Sequence, residues 1–217
     1  LSFYTDAQRK LQDQHDSRPL ADTLVQAMVE TSLNEQHTVF ISSRDFFFLS
    51  TVSDAGEPTV SYKGGDVGTV KVVDPHTLAF PAYDGNGMFL SLGNITDTAK
   101  IGLLFIDFET PNRLRVQATA QLVSDDALMA EYPGAIGIVR ATVDSVFVNC
   151  ARYIHRHERK DRSRYVPDAQ GEQPYPAWKR IDGIQAQLPA RDQGKADAAG
   201  GVISAEEYGR LLQDGES

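Results

Sequence analysis

Cysteine is nearly missing from this chain of 217 residues. Cys150 stands alone, which excludes an internal disulfide framework and a cysteine-based zinc cluster and fits a reducing compartment. No stretch approaches the roughly 20 apolar residues of a membrane span. The opening Leu1-Ser-Phe-Tyr-Thr lacks the basic-then-apolar pattern of a secretory signal, so a cytoplasmic protein is expected. Neither common glycine-rich nucleotide loop is present. His37, His76, His155 and His157 have the spacing of neither a metal-binding helix nor a nucleophilic triad. Positive charge is also scarce: 30 acidic against 21 basic residues give a net −9, a surface that repels nucleic acid and anionic lipid. One run departs from this balance. Arg152, Arg156, Arg159, Lys160, Arg162 and Arg164 face only Glu158 and Asp161, a candidate anion site whose outer part reads as a solvated linker.

What is present is a succession of short apolar segments broken by turn residues. At 41% hydrophobic, the chain can build one substantial core. Residues 5–10 suit a short capped helix, and apolar positions 20, 24, 25, 28 and 29 form a helical face. Residues 38–41 and 46–52 read as strands, the second rich in sheet-favouring side chains. Asp54-Ala-Gly-Glu-Pro58 signals a tight turn into a strand at 60–63. Residues 71–73 and 77–80 flank a second hairpin turn, and 88–98 fits a short helix. Strands follow at 101–107 and 113–124, expected to be antiparallel, then a short helix from Asp125 and a strand at 136–148. Many short strands at close intervals predict a mainly β protein, a barrel with peripheral short helices, and argue against a layered βαβ fold.

The expected divisions are an N-terminal helical segment at 1–34, the barrel at 35–160, and a polar arm at 161–217. In the arm, Pro167, Pro174 and Pro176 limit regular structure, and Ser204-Ala-Glu-Glu207 has capping-box spacing for a terminal helix. Such an arm, lying over a partner subunit, would give Tyr175 and Trp178 a surface to pack on.

A phosphate held without metal needs convergent donors, and a planar ring needs an apolar slot. Ser61 and Lys63 share one face of their strand. Asn86, Ser91 and Asn94 gather at the next turn and helix, whose early amides also suit an anion. Arg113 and Arg115 share a face of a later strand. Among Phe46, Phe47 and Phe48, at least two are expected in the core, and Cys150 is read as a buried small hydrophobe.

The order of several motifs carries more information than any of them alone. These are Ser61-Tyr-Lys-Gly64, Thr77-Leu-Ala-Phe-Pro81, Asp84-Gly-Asn-Gly-Met88, Ser91-Leu-Gly-Asn-Ile95, Gly102-Leu-Leu-Phe105, Leu114-Arg-Val116 and Asn149-Cys-Ala-Arg-Tyr-Ile154. From about residue 4 to 178, the chain resembles the pyridoxamine 5'-phosphate oxidase-like family of flavin mononucleotide (FMN)-binding split barrels, in a subgroup of unknown substrate. The resemblance implies a split β-barrel homodimer with FMN at the subunit interface. It implies that Thr59, Val60, Ser61 and Lys63 flank the ring, with Phe80 near it. Asn86, Ser91 and Asn94 fall at the ribityl-phosphate end, and Met88 joins the cofactor-binding set. Lys63 or Arg115 would set the charge near the ring, and Arg152 would be a charge partner for the phosphate. Relatives commonly carry a basic residue after the asparagine of the Asp-Gly-Asn turn, whereas this chain has Gly87. Backbone amides or the basic run near Arg152 would have to supply that donor.

The implied activity is transfer of hydride or electrons between the flavin and a small molecule, with a reduced nicotinamide as one candidate donor. No side chain is assigned as catalytic, because the cofactor supplies the electronic chemistry. The alternative is a non-catalytic module of the same fold that holds flavin, haem or a deazaflavin. A third possibility is a cofactor-free structural barrel.

Overall fold

The computed structural model describes residues 3–216; Leu1 and Ser2, part of the Leu1-Ser-Phe-Tyr-Thr start read above, and Ser217 lie outside them. The chain divides into two compact units after Arg162. Among the described residues, no helix is long and apolar enough to cross a membrane.

The first unit begins with three helices: α1 (Asp6–Gln14), α2 (Arg18–Met28) and α3 (Glu35–Ser42). Seven strands follow, β1 (Phe46–Val52), β2 (Pro58–Gly64), β3 (Lys71–Asp74), β4 (Thr77–Tyr83), β5 (Lys100–Asp107), β6 (Asn112–Val123) and β7 (Ala135–Asn149). Helix α4 (Leu90–Thr98) lies between β4 and β5. All pairings are antiparallel, in the order β2-β1-β5-β6-β7-β4-β3.

The expected barrel is not formed: the sheet is open, with β2 and β3 as free edges. The reason lies in the chain between those edges. Gly65 N–H donates to the Asp45 carbonyl and Gly68 N–H to the Arg44 carbonyl, so this segment is tied to the link between α3 and β1. A Cβ at Gly65 would come within 2.3 Å of Thr69 Oγ1, so only glycine permits that close approach. The far edge, β3, has four residues and a register shift between Val72 and Asp74, which limits its use for pairing. The sheet nevertheless coils strongly. Phe47 of β1 and Phe80 of β4 are separated by three strands in the order, yet their rings touch at 5.0 Å between centroids. Around them, Leu49, Leu78, Leu103, Phe105 and Val116 form one continuous core.

Two local expectations change. Residues 38–41 belong to α3, not to a strand, because Asn34 closes a capping box. Its Oδ1 accepts from His37 N–H at 2.9 Å, and its own N–H donates to His37 Nδ1 at 3.4 Å. That cap outweighs the sheet preference of four residues. Alternation along β1 puts Phe47 alone of the three phenylalanines in the core. Phe46 and Phe48 take the opposite face, where Phe46 stacks on Tyr62 and Phe108.

The second unit holds two 3-10 turns, Ala177–Arg180 and Asp182–Gln187, then α5 (Lys195–Ala198) and α6 (Ala205–Asp214). Ser204 Oγ caps α6 by accepting from Glu207 N–H at 3.1 Å. The unit has its own interior: Ala177, Leu188, Ala196 and Ile203 are buried around a buried ion pair, Lys179 Nζ to Asp192 Oδ2 at 2.8 Å. Trp178 and Tyr175 are half-buried here, and Tyr175 Oη donates to the Asp192 carbonyl at 3.2 Å.

Candidate functional site

A cleft of about 350 Å³ opens between β2, the end of β4 and the start of α4. That volume lies in the range of small-molecule sites, roughly 300–1,000 Å³. Its wall on β2 follows from strand alternation. Thr59, Ser61 and Lys63 are half-buried on the α4 side, while Val60 and Tyr62 are exposed on the other. Ser61 Oγ and Ser91 Oγ are hydrogen-bonded across the cleft at 3.0 Å. Lys63 lines the same space and has no ion pair with any described residue; burial alone pushes its ammonium below the ordinary lysine range. Tyr83, also in the lining, is pushed up by burial and then by the nearby charge of Asp66.

The opposite wall is the turn from Gly85 and the first residues of α4. Asn86 Oδ1 accepts from Met88 N–H at 3.1 Å, which closes the turn on itself. Gly87 has φ +78, and a Cβ there would meet nothing within 4 Å. Phe89 then adopts the left-handed conformation, with φ 53 and ψ 23, as the N-cap of α4. A phenyl ring accepts no hydrogen bond, so the first-turn N–H groups of α4 have no side-chain cap at the cleft. Uncapped amides, the positive end of the helix dipole and a lysine with no ion pair among the described residues give this end of the cleft a chemistry suited to an anion.

Of the residues singled out from sequence, Ser61, Lys63, Asn86, Met88 and Ser91 line the cleft. Thr59 and Asn94 lie beside it in a hydrogen-bonded group: Asn94 Nδ2 donates to Thr51 Oγ1 at 3.0 Å and reaches Thr59 Oγ1 at 3.5 Å. Val60 faces solvent, and Phe80 is fully in the core against Phe47. Arg115 is exposed on β6, between Leu104 of β5 and Phe147 of β7, and does not line the cleft. Arg152 is exposed beyond β7, over the ring of Tyr153 and beside Cys150. Cys150 is exposed rather than buried, and hydrogen bonds from the Arg152 backbone and then its side chain pull the thiol below its ordinary range.

The basic run is anchored and not a free linker: Arg159 pairs with Asp45, Arg162 with Asp66 at 2.6 Å, and Arg156 Nε donates to the Glu109 carbonyl at 3.1 Å. Sequence reasoning missed Thr51, Tyr83 and Phe89. Thr51 was recoverable from the hairpin register, which sets it opposite Thr59. Tyr83 and Phe89 carry no such signal, because their place depends on how α4 returns to the sheet.

The chain matches the N-terminal family model described as pyridoxamine 5'-phosphate oxidase over residues 33–145, a little over half its length. Comparison with curated proteins found no match. Among solved structures, the chain is similar to HupZ of Group A Streptococcus at 16% identity and a TM-score of 0.46, covering 58% of this chain and 99% of that one. It is similar to the heme storage protein HutZ of Vibrio cholerae at 20% identity and 0.41, covering 54% and 94%. An FMN-binding protein of Syntrophomonas wolfei shares 11% identity at 0.39, covering 64% and 97%. The family match stands without them: the chain belongs to the pyridoxamine 5'-phosphate oxidase family.

Proposed function

We propose that this protein binds FMN in the cleft between β2 and α4, with the phosphate at the uncapped end of the helix. One observation carries the reading: the N-terminus of α4 opens, without a side-chain cap, onto a cleft that contains an unpaired, partly buried lysine. Lys63 would supply charge, Ser61 and Ser91 hydroxyl donors, and the first amides of α4 backbone donors. Leu90, Leu92 and Tyr83 would exclude water along the apolar part of the ligand. Bound flavin would supply redox chemistry; the lysine ammonium would hold and orient the anion without moving a proton. A homodimer with the cofactor at its interface belongs to the same reading, and sedimentation velocity would check it.

Binding without catalysis is the form of this reading that the cleft favours most. The ionisable side chains on its α4-facing wall are Lys63 and Tyr83, the tyrosine raised above its ordinary range chiefly by burial, with no carboxylate or histidine in the lining to complete an acid–base pair. Hydride or electron transfer to a small molecule is the second reading, motivated by Lys63 as a charge beside the cofactor. No described histidine lines the cleft; Met88 and Tyr83 are its side chains of a type that can ligate haem iron.

Titration with FMN, followed by quenching of flavin fluorescence, tests the proposal, with riboflavin as the phosphate-free control. Saturable FMN binding, weakened without the phosphate, is expected; no quenching at millimolar protein would end the reading. Anaerobic addition of reduced nicotinamide to the loaded protein separates the two forms. Bleaching of the flavin band followed by its return in air supports transfer, and an unchanged spectrum supports binding alone.

A further inference from the structure

Helix α4 meets the β1–β2 hairpin through a row of polar side chains where apolar ones are usual. Ser91, Asn94 and Thr98, spaced three and four residues apart, share one face of the helix. Ser91 Oγ bonds Ser61 Oγ at 3.0 Å on β2. Asn94 Nδ2 donates to Thr51 Oγ1 of β1 at 3.0 Å, and reaches Thr59 Oγ1 of β2 at 3.5 Å. The two threonine hydroxyls are themselves 2.7 Å apart. Thr98 Oγ1 donates to the Val52 carbonyl at 2.8 Å. Asn94 and Thr51 are buried, 9% and 2% exposed, so their bonds are made away from water.

Apolar contacts permit a helix to slide and rotate, whereas directed bonds fix it along and around its axis. The need for such fixing is specific to this place. β2 is a free edge, bonded in the sheet to β1 alone, so its relation to α4 is not set by pairing on its other side. The face carrying Thr59 continues to Ser61 and Lys63, and the face carrying Asn94 continues one turn back to Ser91 and the uncapped amides.

We propose that Asn94 is a positioning residue: through Thr51 and Thr59 it holds the N-terminus of α4 at a set distance from Ser61 and Lys63, and so determines recognition of the ligand's phosphate. This rests on the FMN reading of the cleft. It assigns Asn94 no contact with the ligand; its effect passes through the placement of Ser91 and the first-turn amides.

The test compares FMN with riboflavin on the full chain. Asn94→Leu keeps side-chain volume and removes the donor; Thr51→Val removes the first acceptor. The expected result for Asn94→Leu is FMN binding weaker by tenfold or more, riboflavin binding changed by less than threefold, and a melting temperature within a few degrees of the parent protein. Combining Asn94→Leu with Thr51→Val should add little, because both break the same link. A purely structural role would weaken both ligands alike, so an unchanged FMN-to-riboflavin ratio in a parent protein that binds FMN overturns this proposal alone. Failure of the parent protein to bind FMN overturns the FMN reading and this proposal with it. If Asn94→Leu does not fold, the Thr51→Val and Thr59→Val pair is read by the same ratio.

Discussion

Two helices of similar length pack on this sheet, α3 of eight residues and α4 of nine, and their N-termini are built in opposite ways. Helix α3 closes its own end. Asn34 and His37 exchange hydrogen bonds, and Ile41 anchors the helix in the core at no measurable exposure. Helix α4 starts from a left-handed phenylalanine that caps nothing, and reaches the sheet through Ser91, Asn94 and Thr98 as well as Ile95. An end satisfied by its own chain has nothing left to offer a ligand. An end left open beside Lys63 has amides, hydroxyls and charge available. On the FMN reading proposed above, the difference separates a helix that supports the fold from one that would hold the ligand.

Changes at either end test that contrast. Lys63→Met at the open end should weaken FMN binding by tenfold or more, equivalent to about 1.4 kcal/mol or above, measured by fluorescence quenching. It should also stabilise the unliganded protein at neutral pH. Burial lowers the folded-state pKa of Lys63 below its unfolded value, so the charged form opposes folding, and stability rises with pH between the two values. Denaturation against pH should show that alkaline rise in the parent protein and not in Lys63→Met; an identical profile in both would show that Lys63 is not desolvated.

Gly87→Arg adds a cation where a Cβ meets open space, but forces an L-residue into the left-handed region. A stability loss of about 1–2 kcal/mol is expected, together with a several-fold gain in FMN affinity. No gain would mean that this turn does not face the phosphate. At the closed end, Asn34→Ala should cost about 1 kcal/mol in thermal or denaturant unfolding. Its FMN affinity should stay unchanged; a large affinity loss would erase the functional contrast between the helices.

The smallest effect concerns pH. Burial holds His37 below its ordinary pKa, against a weaker opposing influence from Glu30. The unfolded chain therefore takes up a proton first, and stability should decline by a fraction of a kcal/mol as pH falls below about 6.5. His37→Gln should flatten this limb in unfolding curves recorded between pH 7 and 5.

Much of the sheet could be read without coordinates. The hairpin turn at Asp54–Pro58 and the alternation of β2 already place Ser61 and Lys63 on one face. The ordered motifs identify the family. Residues 38–41 were misread because β-branched and aromatic residues favour strands, while the Asn34 cap acts from four residues upstream. Arg115, from the Leu114-Arg-Val116 strand, and Arg152, from the Asn149-Cys element, lie outside this cleft, a placement that motif membership does not specify.

What the sequence by itself determined was local and periodic: which residues alternate, where turns interrupt them, and which donors fall on the same face. Those properties follow from backbone geometry over a few residues. Tertiary structure alone decided that the sheet stays open, that β2 is left as an edge, and that α4 returns to that edge through hydrogen bonds. Each of these depends on groups far apart in the chain: Gly65 against Asp45, Phe47 against Phe80, and Asn94 against Thr51. Their meeting is settled by packing and by the satisfaction of buried polar groups, which no short stretch of sequence records.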